Sequence, residues 1–230
     1  MTVTEMHTAF RLHLDKSTSL VGSPDFLPEE IDFWLNEAQD RFIKQRVFGN
    51  NYRQESFEQG QKRIDDIRNI LINSTTIVLT QSGLASNVKE CNLPVSDATS
   101  PYMFYISSFL SGSGAITMQV KNVVQYEYIT EYLKDTMNNP YIRRPLVTFY
   151  GDKIAFIHGD EFIPTTCNIR YVKRPKKLVL GTPGTYETNT CELALHTHSE
   201  IVIIAVSLVV ENTESLRVQT FEQLNASKVE

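Results

Sequence analysis

The sequence predicts an α+β protein: a helical bundle formed by N-terminal helices and a long C-terminal helix, with a β-rich segment inserted between them. Three observations carry this prediction. Apolar residues recur at helical spacing through the first 72 residues. From Ser74 onward, short β-branched and aromatic runs replace them, punctuated by Gly, Pro, Asn and Asp. Helical texture returns after residue 190. The expected parts are therefore 1–73, helical; 74–190, β-rich; and 191–230, a C-terminal helix packing back on the first part.

Thr2-Val3-Thr4-Glu5 fits a capping box, and Met6, Phe10 and Leu14 follow at four-residue intervals on one face. The Ser-, Gly- and Pro-bearing stretch from Lys16 to Asp25 serves as a connection. Pro28 suits a first helical turn, and Glu29, Glu30 and Asp32 place negative charge at the positive end of the helix dipole. Ile31, Trp34, Leu35, Ala38 and Phe42 form an apolar stripe, with Glu37, Asp40, Arg41 and Lys44 on other faces. Trp34, the single tryptophan, is thereby expected on the buried stripe. Gly49-Asn50-Asn51 is expected to end the helix through a left-handed cap. A third helix is expected from a capping box at Ser56–Gln59, with Phe57, Ile64, Ile67 and Leu71 as its stripe.

In the β-rich part, STTIVLT, YMFYISSFL, AITMQVKNVVQYEYIT, PLVTFYG, KIAFIHG and CNIRYVKRP read as strands. TFYGDKIAFIHGD is a hairpin around Gly151-Asp152. One helical turn fits TEYLKDTMNNPYIRRP before Pro140 stops it. Thr197-His198-Ser199-Glu200 is a further capping box, opening a helix expected to run for about seven turns through EIVIIAVSLVVENTESLRVQTFEQL. Ile201 to Val210 is apolar nearly all round, so more than one face requires cover.

The 230 residues, 41% of them hydrophobic, suffice for a buried core without external staples. The longest apolar run, Ile201–Val206, falls far short of the roughly 20 residues that cross a bilayer. With no secretion signal in MTVTEMHTAF, folding in a cytoplasm is the expectation. Cys91, Cys167 and Cys191 are odd in number and widely spaced, which argues against a disulfide framework and against paired-cysteine zinc chemistry. A formal charge of −5 gives the chain no overall attraction to nucleic acid.

Each candidate for chemistry has a plainer reading beside it. His196, His198 and Glu200 near Cys191 and Glu192 have metal-ligand chemistry, but histidines two apart diverge on a helix or strand, which favours a polar helix entrance. Asp65-Asp66 and Asp40 read as a solvated, ion-paired face with Lys62, Arg63 and Arg68, because adjacent helical acids point about 100° apart. Ser107-Ser108, Ser111–Gly114 and Cys191 lack a nucleophile's context, so no catalytic residue, metal or cofactor is expected. Arg170, Lys173, Arg174, Lys176 and Lys177, with Tyr171 among them, have the composition of a phosphate-backbone contact. Lysines protecting an edge strand, or meeting an acidic partner, are the plainer account. The packing or assembly candidates are Ile31, Trp34, Leu35, Phe42, Ile201, Ile204 and Leu208.

EEIDFWLNEAQDRFIKQR, YVKRPKKL and HSEIVIIAVSLVVENTESLR, in this order, resemble the head-to-tail connector, adaptor or ring proteins of short-tailed bacteriophages. The wording is most similar to the ring proteins of crAss-like phages, through Glu30-Ile31-Asp32, Leu35-Asn36, Phe57-Glu58 and Lys62-Arg63-Ile64-Asp65-Asp66. The resemblance covers most of the chain. It implies a non-enzymatic virion protein forming a ring of twelve copies beneath the portal, joined to the portal and to other connector or tail proteins. It further implies a location at the head–tail junction, after assembly in the host cytoplasm, around a channel that passes double-stranded DNA, with no membrane partner. The alternative class is a DNA-binding or packaging accessory protein using the cluster at 170–177.

Overall fold

The computed structural model describes residues 1–17, 26–49, 60–95, 100–112, 117–120, 123–135, 137, 140, 144–160, 162–180 and 190–212. They form five α-helices and nine β-strands, divided between two compact units. The described residues of Met1–Ile70 and Pro175–Glu230 make a helical unit, and those of Leu71–Arg174 a sheet unit.

The expected helical bundle with a long C-terminal helix is overturned. The fold is sheet-rich, with nine strands in two antiparallel sheets, and the C-terminal helix is described over only 15 residues, His198–Asn212. The remainder of its expected seven turns lies outside the described residues. Local periodicity reveals that a helix exists; it does not reveal pairing between strands a hundred residues apart, and that pairing sets the architecture here.

In the helical unit, α1 (Val3–Ser17) opens with the expected capping box: Glu5 N–H donates to Thr2 Oγ1 at 3.2 Å and Thr2 N–H to Glu5 Oε2 at 3.0 Å. Met6, Phe10 and Leu14 are buried. Helix α2 (Pro28–Phe48) has proline in its first turn, and the Glu30 side chain turns back to accept the Leu27 N–H at 2.9 Å. Its end differs from expectation. Gly49 has φ −59°, outside the left-handed region, and glycine is required for space, since a Cβ there would lie 1.9 Å from the Gln45 carbonyl oxygen. Helix α3 (Gln61–Ile67) passes through a 3-10 turn, Arg68–Ile70, and Leu71, expected on its stripe, instead begins a strand. The Ser56–Gln59 cap and Phe57 lie outside the described residues. A second 3-10 turn, Leu195–Thr197, leads into α5 (His198–Asn212), which packs against α1 and α2. The capping box expected there does not form: Thr197 Oγ1 donates to the Ala194 carbonyl, and Glu200 bonds elsewhere.

In the sheet unit the strands are β1 (Leu71–Asn73), β2 (Ile77–Val78), β3 (Thr80–Gln81), β4 (Val88–Asn92), β5 (Tyr102–Gly112), β6 (Thr117–Val120), β7 (Leu146–Tyr150), β8 (Lys153–Ile157) and β9 (Pro164–Lys173). One sheet runs β1-β9-β5-β6, with β2 also on β9; the other runs β3-β4-β8-β7. β7 and β8 form the expected hairpin, closing at the Tyr150–Lys153 pair, with Gly151 at φ +53° supplying the left-handed turn residue. Residues 126–130, expected within a strand, instead form a 3-10 turn (Tyr126–Tyr128) and the start of α4 (Ile129–Lys134).

The two sheets share a core. Leu110, Val120, Cys167, Ile169 and Tyr171 of one meet Cys91, Val147, Ile154 and Phe156 of the other. The opposite face of the four-stranded sheet carries Val88, Leu146, Ala155 and Ile157, with Ile129 of α4 packed on them. The strict alternation of β8, Ile154 and Phe156 to one side and Ala155 and Ile157 to the other, explains why KIAFI is apolar nearly throughout: both of its faces are buried.

Candidate functional site

The helical unit concentrates its polar chemistry on α2. Asp32, Asn36 and Gln39 fall on one line of the helix, at i, i+4 and i+7, and face the segment 176–180. Both Asp32 carboxylate oxygens accept from Leu180 N–H, at 3.1 and 3.0 Å. Asn36 donates to the Leu178 carbonyl and accepts its N–H, each at 2.8 Å. Gln39 donates to the Lys176 carbonyl at 3.2 Å. Three helical side chains thus stand in for a neighbouring strand, engaging every second residue of a segment that runs antiparallel to the helix. Asp32 is also the partner of His7 on α1, whose Nε2 donates to Oδ1 at 2.7 Å. These contacts satisfy backbone groups that would otherwise be costly to enclose.

A second network joins four elements. Arg46 of α2 lies 2.7 Å from Asp66 of α3 through Nε, and its Nη2 donates to Glu200 of α5 at 2.5 Å. Asp66 in turn accepts from Nε2 of His196, in the turn before α5, at 2.8 Å. Asp66 is buried, contrary to the solvated face expected for Asp65-Asp66; only Asp65 is exposed. The reason is Arg46, whose guanidinium also lies 4.7 Å above the Phe42 ring and carries the compensating charge inward. His196 borders a cleft of about 520 Å³ with Gln61, Lys62, Asp65, Asp66 and Arg68. Among the described residues the lining offers an imidazole backed by a carboxylate, without a hydroxyl or thiol nucleophile beside it.

The residues weighed as metal ligands take separate partners. His196 goes to Asp66, Glu200 to Arg46, and Cys191 Sγ to Gln39 Oε1 at 3.5 Å. His198 is buried between the Met1 amine and the Leu193 carbonyl, and its burial lowers its pKa. Among the described residues no three His, Cys, Asp or Glu gather in metal-binding geometry.

The basic stretch is not one patch along its strand. Arg170 and Lys173 are three apart on β9 and so project from opposite faces of the sheet. Arg174 closes the sheet unit, its N–H donating to the Pro101 carbonyl at 2.8 Å. Lys176 and Lys177 belong to the helical unit, where Lys176 Nζ lies 3.7 Å from Glu192 Oε1.

Of the packing candidates, Ile31, Leu35, Phe42 and Ile201 are fully buried. Trp34 is not on the buried stripe: it is half-buried, with its ring edge-on to exposed Phe33 at 5.2 Å between centroids. Polar Asp32 and Gln39 occupy the interior-facing positions instead. Helix α5 has one buried face, Ile201, Val202, Ala205, Val206, Val209 and Val210. The other face, with Ile203, Ile204 and Leu208, is only half-buried.

Among the described residues of the sheet unit, a charged cluster forms around Glu90. On β4, Glu90 accepts from Lys153 Nζ at 2.7 Å and from the Tyr150 hydroxyl. Its pKa is lowered to about 2, by the hydrogen bond from Lys153 first and that from Tyr150 second.

Asp32, Asn36, Gln39 and Arg46 are the residues that sequence reasoning missed. Their signal was present: polar side chains at 32, 36 and 39 share the same helical periodicity used to find the apolar stripe. No protein-family model matches the sequence, and no curated protein matches it. No helix among the described residues is long and apolar enough to cross a membrane.

Proposed function

We propose that this chain is a structural subunit of an oligomeric ring that joins the portal of a short-tailed bacteriophage to its tail and surrounds the DNA channel. One observation carries the reading. Helix α5 spreads large aliphatic side chains over both faces, burying one against α1 and α2 and leaving Ile203, Ile204 and Leu208 half-buried. A side-chain surface of that kind is suited to a further copy of the same chain. The sequence resemblance at α2, α3 and α5 supplies the kind of assembly, and the role is non-catalytic.

The test is electron microscopy of the purified full chain, alone and mixed with the portal of the same phage. Rings are expected in at least one of the two samples, and Ile204→Glu with Leu208→Glu should abolish them while leaving the circular dichroism spectrum of the subunit unchanged. A subunit that stays monomeric and binds neither portal nor virion overturns the proposal. So do rings that form equally well with both substitutions present.

A further inference from the structure

Cys91 and Cys167, 76 residues apart in sequence, bring their sulfurs to 3.5 Å in the core of the sheet unit. Cys91 sits on β4, opposite Ile154 of β8. Cys167 sits on β9, opposite Leu110 of β5 and Ile77 of β2. The two thiols therefore reach toward each other from different sheets, across the shared apolar core. Both are buried, Cys91 at 6% exposure and Cys167 at 1%.

We propose that Cys91 and Cys167 are an oxidisable dithiol that closes to a disulfide between the two sheets when the protein meets a hydroperoxide. Bonded sulfurs lie about 2.05 Å apart, so the pair has to approach by roughly 1.5 Å, a movement shared between two side chains. Cys91, the more exposed of the two, reacts first: its sulfur takes one oxygen from hydrogen peroxide, and the other oxygen leaves as water. The resulting sulfenic acid faces the Cys167 thiol, which attacks its sulfur; hydroxide departs and takes up the thiol proton as a second water. Two thiols and one peroxide thus give one disulfide and two waters. The hydrogen bond with the Cys91 sulfur first, and burial second, raise the Cys167 pKa, so Cys167 stays an uncharged thiol. The product would tie β4 to β9 and close a long loop in the unfolded chain.

The full-length protein treated with hydrogen peroxide, then denatured and titrated for thiols, reads this directly. The three cysteines should fall to one free thiol, with a mass loss of about two daltons. Proteolysis without reductant should yield a peptide joining positions 91 and 167, and the oxidised form should melt at a higher temperature than the reduced one. Cys191→Ser should still lose two thiols on treatment, whereas Cys91→Ala and Cys167→Ala should each yield no internal crosslink. Three thiols surviving peroxide, a crosslink through Cys191, or sulfinic acid at Cys91 without a crosslink overturns the proposal; so does a lower melting temperature on oxidation. Because titration and peptide mapping use the natural chain, the outcome does not depend on whether the variants fold.

Discussion

The helical unit and the sheet unit bury polar groups to different ends. In the first, Asp32, Asn36 and Gln39 hold an extended backbone against a helix, and Arg46 and Asp66 link three helices through charge. In the second, the shared core between the sheets is built mainly from apolar side chains and two thiols, the Tyr105 hydroxyl and buried Ser108 bonding to each other beside it, and the charged cluster at Glu90 sits on the opposite face of its sheet. The difference follows from how backbone is satisfied. Strands bond to one another, so their side chains are released to pack. Helices satisfy their own backbone, so an extended segment lying on one must find its hydrogen bonds in side chains.

Substitutions measure that contrast. The largest loss is expected in the sheet unit's apolar core: Phe156→Ala removes a side chain with no exposure and should cost about 3–5 kcal/mol by urea denaturation. In the helical unit the comparable loss should come from a carboxylate. Asp32→Ala leaves His7 Nε2 and the Leu180 N–H without an acceptor, and should cost about 3 kcal/mol. A cost below about 1 kcal/mol would mean that packing holds segment 176–180 in place and the polar row adds little. Trp34→Ala should cost less, about 1–2 kcal/mol in the isolated subunit, since that ring is only half-buried. If Trp34→Ala equalled Asp32→Ala, the apolar stripe inferred from sequence would describe α2 better than the polar row.

The smallest effect expected is a pH dependence local to the sheet unit. Glu90 is held at about 2, below an ordinary value of 4.5, so its stabilising contribution is complete above the ordinary value and is lost as pH falls toward 2. Acid unfolding followed by tryptophan-independent circular dichroism should therefore show wild type losing more stability than Glu90→Gln between pH 4.5 and 2. Parallel curves over that window would show that the cluster contributes nothing to acid stability.

Much of the local structure was legible in the sequence. The α1 capping box, the start of α2 and the Gly151 hairpin each rest on neighbours within four residues, and each forms. The architecture was not legible, because β9 draws partners from residues 71–78 on one side and 102–112 on the other. β4 was missed for a related reason: VKECN alternates poorly, since Glu90 is buried by its own ion pair and Cys91 by the facing sheet. At the site, the apolar residues Ile31, Leu35, Phe42 and Ile201 were identifiable, and Trp34 was misplaced. Hydrophobicity assigns every large apolar residue to the interior, but α2 gives part of its inner surface to Asp32 and Gln39, and Trp34 falls outside it.

The polar row on α2 also sets what the chain is free to change. Its bonds end on the amides and carbonyls of residues 176, 178 and 180, which are the same for every residue type but proline, which has no N–H. Substitution within KKLVL by residues other than proline can therefore proceed without removing any of these bonding groups, whereas Asp32 and Asn36 admit few replacements that accept or exchange the same bonds. A shift of one residue in that segment would turn its bonding groups away from the helix, and a shift of two would restore them. Relatives of this chain should accordingly differ there by paired insertions or deletions, while keeping the spacing of four and three on the helix that reads them.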